Sequence, residues 1–287
     1  MTADFPNVAI LGSGLLGGSL ALALEQRGTR PRLWARREET VGVALDAGIS
    51  GATADLTEAV NGADLIVLAV PVGAMPALVS KALASGLQPG CMVTDVGSVK
   101  GMPHQTIPPL LAGSGVEFIG SHPMAGSERN GLDAASADLF QGAACLLTND
   151  ENVAADRAAA LERFWQGVGC HTAWLGAAAH DALVARISHL PHIVAASAAR
   201  VCLENPADGR FGGGGLRDTT RVAAGNPDMW AEILTENRAA LVEPLRTTID
   251  DLREILALLE KDDLAAVREW LLTAKRRRDP LNPPRSA

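Results

Sequence analysis

The stretch that most constrains this chain is Gly12-Ser13-Gly14-Leu15-Leu16-Gly17. The apolar run Val8-Ala9-Ile10-Leu11 precedes it, and an Ala/Leu-rich helical stretch, Ser19 to Gln26, follows. A short continuous apolar run suits a strand buried on both faces. The glycine spacing G-x-G-x-x-G, set between strand and helix, is the fingerprint of a dinucleotide-binding turn. Gly12 permits the tight turn, Gly14 lets backbone approach a pyrophosphate, and Gly17 lets the helix pack against the strand. Ser13, Leu15 and Leu16 complete the loop, where free N–H groups at the helix start hold phosphate. The same spacing also arises as a plain glycine-rich turn, but the strand–helix setting favours the nucleotide.

The second strand reads Arg32-Leu33-Trp34-Ala35, followed by Arg36-Arg37. An NAD site places Asp or Glu near this strand end, for the ribose 2′-hydroxyl. Here two arginines stand instead, and a guanidinium pairs well with a 2′-phosphate. Arg36 and Arg37 are therefore candidate cofactor residues and NADP is favoured over NAD. The alternative is that both face solvent ahead of Glu38 and Glu39.

The βα alternation continues. Asp64 to Val70 is the strongest strand signal, Pro71 ends it, and Ala74 to Ala84 reads as a helix. Met92 to Val96, Val116 to Ile119, Ala143 to Leu147 and His171 to Leu175 read as further strands, with Glu151 to Val168 helical. Such alternation predicts a mostly parallel, doubly wound sheet over 1–175. Ligands bind such sheets beyond the carboxyl ends of the strands. Gly12 to Gly17, Pro71, Ser98 and His122 fall at those ends, so one crevice is expected to collect them, with Val70 as a further candidate cofactor residue. His122 sits in Phe118-Ile-Gly-Ser-His-Pro-Met-Ala-Gly-Ser-Glu128, where Pro123 and Gly126 predict a shaped loop just past a strand.

After Gly176 the strand signal stops, and 176–287 reads as helical. His180 to Glu204 predicts one long helix, interrupted or bent near Pro191. His189 and His192 are three apart and share a face. No third metal ligand accompanies them locally, so they are packed core histidines or polar groups lining a pocket. From Pro227 a helical pattern runs to about Leu259, with apolar residues recurring at Leu245, Ile249, Leu252, Ile255, Leu256 and Leu259. A helix that long cannot be buried by a small domain alone, which predicts a helix-packed homodimer. The fold class is thus α/β: a doubly wound Rossmann-type sheet followed by an all-α dimerisation domain.

The net charge of −8 argues against nonspecific nucleic-acid binding. Cys91, Cys145, Cys170 and Cys202 form no C-x-x-C pair, a pattern of reduced thiols in a cytoplasmic protein rather than a disulfide frame or zinc site. No apolar run reaches the roughly 18 residues that span a bilayer, and the N-terminus lacks a basic n-region, so no membrane partner and no signal peptide are expected.

Several motifs together resemble the prephenate/arogenate dehydrogenases, the cyclohexadienyl dehydrogenase family of tyrosine biosynthesis. They are Gly12 to Ser19, Thr94-Asp95-Val96-Gly97-Ser98-Val99-Lys100, Ser121-His122-Pro123-Met124-Ala125-Gly126-Ser127-Glu128, Ser188-His189-Leu190-Pro191-His192, Asp218-Thr219-Thr220-Arg221 and Asn226-Pro227-Asp228-Met229-Trp230. They occur in family order over nearly the whole chain. The resemblance implies NAD(P)-dependent oxidative decarboxylation of prephenate or arogenate by a homodimer. It implies His122 as the group that hydrogen-bonds the ring hydroxyl, with Ser98 close to it and to the nicotinamide. It implies Arg221 for a substrate carboxylate, His192 as a second substrate contact, and Ser188 and His189 in the pocket wall. Glu128 is implied at the pocket mouth, and Trp230 as a residue contributed across the dimer. Rival readings are a dehydrogenase of the β-hydroxyacid type on the same plan, or a noncatalytic NADP-binding sensor.

Overall fold

The computed structural model describes residues 4–126 and 131–281. Six parallel strands form the main sheet: β1 (Val8–Leu11), β2 (Arg32–Trp34), β3 (Ala52–Thr53), β4 (Leu65–Leu68), β5 (Met92–Asp95) and β6 (Glu117–Phe118). Their spatial order is β3-β2-β1-β4-β5-β6. The chain leaves β1 for one edge, then returns to β4 on the other side of β1. That reversal opens a crevice between the carboxyl ends of β1 and β4, the ligand-binding position of such sheets. The edge strand β3 is too short to leave a hydrophobic pattern in sequence.

Both faces of this sheet are covered. Val8 and Ile10 of β1, with Leu65 and Val67 of β4, enter one apolar core; Ala9, Leu11, Ile66 and Leu68 enter the other. Alternate side chains point to opposite faces of a strand, so a run such as Leu-Ile-Val-Leu feeds two cores at once. Helices α1 (Leu15–Glu25), α2 (Glu38–Asp46), α3 (Leu56–Val60), α4 (Met75–Ala84) and α5 (Gly101–Leu111) link the strands.

The last three strands do not extend this sheet. β7 (Gly120–Pro123), β8 (Ala144–Thr148) and β9 (His171–Leu175) form a second sheet, antiparallel between β7 and β8 and parallel between β8 and β9. The helix α6 (Ala155–Gly167) connects β8 to β9. The expected loop around His122 is therefore corrected: His122 lies within β7, opposite Leu146 of β8. The residues that read as loop are tolerated because β7 is an edge strand, where a proline costs no ladder bond. Gly120 has its own reason: a Cβ there would meet Thr148 Oγ1 at 2.4 Å and Lys100 Cδ at 2.9 Å.

The helical portion begins with α7 (Ala177–Val184), a π-turn (Ala185–His189) and α8 (Leu190–Cys202). The predicted bend at Pro191 is instead this widened turn, in which Leu190 N–H bonds Ala185 O. Pro191 has no N–H to offer the preceding turn, so that turn opens without the helix ending. This stretch, Ala177–Cys202, is long and apolar enough to cross a membrane by length and composition; interspersed polar residues hid it from a search for unbroken apolar runs. Helices α9 (Gly214–Thr220), α10 (Pro227–Glu236), α11 (Arg238–Glu260) and α12 (Leu264–Arg278) follow. The single helix expected from Pro227 to about Leu259 is divided at Asn237, where φ is −95° and ψ 15°. Asn237 turns its side chain onto α7 and the π-turn, and α11 then runs through Pro244.

The chain divides into two compact units, Met1–Ala239 and Ala240–Ala287. In the second, Trp270 Nε1 donates to Asp251 Oδ1 at 3.3 Å and joins α11 to α12. Leu252, Leu256 and Leu259 of α11 and Leu264 and Leu271 of α12 are each more than half exposed.

Candidate active site

The glycine turn has the shape its sequence predicts. Gly12 follows β1 with φ +126°, and a Cβ on it would strike Ala69 O at 2.3 Å. A Cβ on Gly17 would lie 1.9 Å from Gly12 O, so only glycine lets α1 pack this closely. Gly14 differs: its Cβ would meet nothing within 4 Å, and as N-cap it offers α1 no side-chain cap. Open space in front of uncapped N–H groups is what a pyrophosphate requires. The residues fit a dinucleotide, with Ser13, Leu15, Leu16 and Val70 on the turns that border the crevice. Gly12 N–H donates to Trp34 O at 3.1 Å, which fastens this turn to β2. Arg36 and Arg37, just past β2, are exposed, and their guanidinium groups make no ion pair or hydrogen bond among the described residues.

His122 is 7% exposed. Its Nδ1 lies 2.9 Å from His180 Nε2, and His180 Nδ1 lies 2.8 Å from Asp181 Oδ1. Asp181 also accepts the N–H groups of Lys100 and Gly101, each at 2.8 Å, at the start of α5. Burial holds the His122 imidazole well below its ordinary titration range, and the neighbouring His180, Lys100 and His189 add to this. Burial also lowers His180, against the opposing pull of its Asp181 hydrogen bond. Burial pushes the Asp181 carboxyl up, but the bonds from His180, Lys100 and Gly101 outweigh it and leave it below its usual range.

Ser98 lies in the turn between β5 and α5, half-buried. Asp95 holds that turn and β7 together: Oδ2 accepts Gly97 N–H at 2.8 Å and Oδ1 accepts Ser121 N–H at 3.2 Å. Lys100 Nζ pairs with the same carboxylate, and both side chains are completely buried. Ser121 Oγ is fixed in turn by Thr94 Oγ1 at 2.7 Å and Trp165 Nε1 at 2.9 Å. Thus the Ser98 turn and the His122 strand hang on one buried ion pair.

His189 and His192 come from the π-turn and α8. His189 Nδ1 lies 3.0 Å from Asn237 Nδ2, which also donates to Asp181 O at 2.9 Å. An amide nitrogen only donates, so His189 accepts at Nδ1 and carries its proton on Nε2. That Nε2, and Nδ1 of His192, are buried without a hydrogen-bond partner among the described residues. Buried polar atoms seldom go unpaired, and these two are free to hydrogen-bond a ligand of the right shape. Burial lowers His189 to about 4 and lowers His192 as well. Trp230 stacks on His192, ring centroids 3.6 Å apart and planes 11° from parallel. A Cβ on Gly225 would meet Trp230 Nε1 at 2.5 Å, so a glycine is needed for that indole to lie there. Both rings of this stack belong to the same chain. Ser188 is half-buried in the π-turn, and Arg221 is exposed just past α9. Glu128 lies outside the described residues.

Comparison with known proteins narrows what this arrangement serves. A model of the prephenate dehydrogenase nucleotide-binding domain matches residues 20–174, and one of the prephenate dehydrogenase dimerization domain matches 176–273. The chain belongs to the prephenate dehydrogenase family. A cyclohexadienyl dehydrogenase of Zymomonas mobilis is 35% identical over 269 residues, covering 90% of each chain. The crystal structure of prephenate dehydrogenase from A. aeolicus, in complex with hydroxyphenyl propionate and NAD+, superposes with a TM-score of 0.86 at 27% identity, covering 97% of this chain and 99% of that one. The Synechocystis arogenate dehydrogenase gives a TM-score of 0.79 at 29% identity, covering 95% and 98%. Like its relatives in the prephenate dehydrogenase family, the protein is an oxidoreductase.

Among the residues that hold this cluster together, the sequence motifs did not single out His180, Asp181, Asn237 or the Asp95–Lys100 pair. The pair was visible inside Thr94 to Lys100, but nothing in that string showed that both ends are buried. His180-Asp181, two polar residues set among alanines in α7, carried a signal that periodicity alone did not weigh.

Proposed function

We propose that this enzyme carries out its family's NAD(P)-dependent oxidative decarboxylation on prephenate or arogenate in tyrosine biosynthesis, as a cytoplasmic homodimer with NADP favoured over NAD. Residues 1–175 are read as the nucleotide domain and 176–287 as the substrate and dimerisation domain, a division supported by the two family matches. The observation that carries the reading is His122: buried and neutral, engaged at Nδ1 by His180, and left without a partner at Nε2 among the described residues.

With the pyrophosphate of a dinucleotide held at the Gly12–Gly17 turn, its nicotinamide would supply the hydride acceptor. His122 Nε2 accepts a hydrogen bond from the substrate's ring hydroxyl and stabilises the positive charge that develops there as hydride departs. The electron pair of the breaking ring–carboxylate bond then completes the aromatic ring, CO2 leaves, and the hydroxyl keeps its proton. Ser98, on the turn tied to the same Asp95, orients that hydroxyl. Arg221 pairs with a substrate carboxylate. His189 offers its Nε2–H, and His192, Ser188 and Trp230 build the wall around it.

NADP preference is supported by Arg36 and Arg37, exposed beside the crevice with no competing partner among the described residues. The homodimer is supported by the exposed leucines of α11 and α12. Neither nucleic acid nor membrane enters the reading: Ala177–Cys202 buries His180, His189 and His192 along one face and is read as a helix of the substrate domain, with its other face exposed. The test is His122→Asn, assayed with prephenate or arogenate and NAD or NADP. Turnover is expected to vanish while nucleotide binding persists; unchanged turnover overturns the proposal.

A further inference from the structure

We infer that His180 and Asp181 are positioning residues that hold His122 in the tautomer with its proton on Nδ1, so that Nε2 presents a lone pair to the substrate hydroxyl. The inference rests on the role proposed for His122 and follows from donor–acceptor bookkeeping along one chain of bonds. An ionised carboxylate only accepts. Asp181 takes the N–H groups of Lys100 and Gly101 at 2.8 Å each, bonds that suit an anion at a helix start. His180 Nδ1, 2.8 Å from Asp181 Oδ1, must therefore carry a proton. His180 is completely buried, so it holds one proton rather than two, and its Nε2 is a lone pair. His122 Nδ1, 2.9 Å from that lone pair, must be the donor. The proton order is then fixed from Asp181 outward, and His122 Nε2 is left as an acceptor.

The alternative tautomer would place N–H on Nε2, facing the substrate hydroxyl as a donor. It would also set two lone pairs against each other at 2.9 Å between the imidazoles. Such a His122 could not relieve positive charge on the hydroxyl, although its position would hardly differ. His180 and Asp181 need touch neither substrate nor cofactor to matter, which is why they act through His122. Asn237 extends the control: it donates to Asp181 O and to His189 Nδ1, so the same segment sets the tautomer of both imidazoles.

The experiment uses the full chain with its histidines 15N-labelled, His122 being assigned by the signal lost in His122→Asn. In the wild type, nitrogen shifts are expected to show His122 protonated on Nδ1 and bare on Nε2; a proton on Nε2 overturns the proposal without need of any variant. His180→Phe removes the acceptor. It is expected to move the His122 proton toward Nε2 and lower kcat about 100-fold, with nucleotide affinity changed less than about twofold. His180→Gln, whose side-chain oxygen can accept from Nδ1–H, is expected to recover at least about tenfold of that loss. Wild-type turnover in His180→Phe, or loss of activity with the proton still on Nδ1, or no rescue by His180→Gln, each overturns it. The spectrum reads the tautomer without turnover, so an active His122→Asn would refute the proposed role of His122 separately.

Discussion

Replacing Lys100 with methionine is the most quantitative test of how the site is held. Lys100 and Asp95 are both completely buried and paired with each other. Methionine fills most of the lysine's volume, so little cavity penalty arises. What changes is the Asp95 carboxylate, left without a countercharge and with only Gly97 and Ser121 N–H groups, at 2.8 and 3.2 Å, to satisfy it. Removing one partner of a buried pair costs about 3–5 kcal/mol. Two remaining charge-assisted donors place this case near the lower end, at about 3 kcal/mol. At roughly 2–4 °C per kcal/mol for a unit of this size, Tm falls by about 6–12 °C. Thermal and urea unfolding of Lys100→Met, Asp95→Asn and the double variant measure it, and the cycle should show coupling above about 1.5 kcal/mol. Because Asp95 anchors both the Ser98 turn and the His122 strand, kcat should fall as well. A Tm loss under about 2 °C with no coupling would refute the claim that this pair organises the site.

Acidification should destabilise the protein before it silences it. His122, His180, His189 and His192 all titrate lower in the folded chain than the usual 6.5, His189 at about 4. Below 6.5 the unfolded chain therefore binds more protons than the folded one, so their contribution is fully present above that pH and drains away as pH falls toward 4. Tm measured from pH 7.5 to 4.5 should decline below 6.5, while kcat/KM should hold level from pH 8 past 6.5 and fall only where folded His122 takes up its proton; a Tm that rises on acidification would contradict the burial argument. Arg36→Ala should raise KM for NADP about tenfold, one charge-assisted contact, and hardly change KM for NAD. Equal effects on both cofactors would remove Arg36 from the 2′-phosphate.

The main sheet was legible because β1 and β4 are buried on both faces, and that leaves unbroken apolar runs. The glycine turn was legible because each glycine answers a steric demand stated by its spacing. β7 was not, since Gly120 and Pro123 serve an edge strand as well as they would serve a loop. Ser98, His122, His189 and His192 could be marked as polar residues of the right kind in motifs. His180, Asp181 and Asn237 could not, because their value lies in who donates to whom, and hydrogen-bond direction has no sequence signature.

The widened turn at Ala185–His189 sets the angular phase of everything near it. In an uninterrupted α-helix, nine residues at about 100° each would put His180 and His189 on opposite sides of the rod. One extra residue taken up in a π-turn winds that back by about 100°, and Asp181, eight positions before His189, comes to within about 20° of it. Asn237 can then bond both from one side. The segment behaves like a spliced screw whose two threads mesh only because of the splice. Insertions or deletions of a single residue there would leave a sound helix and still turn the two halves of the site away from each other.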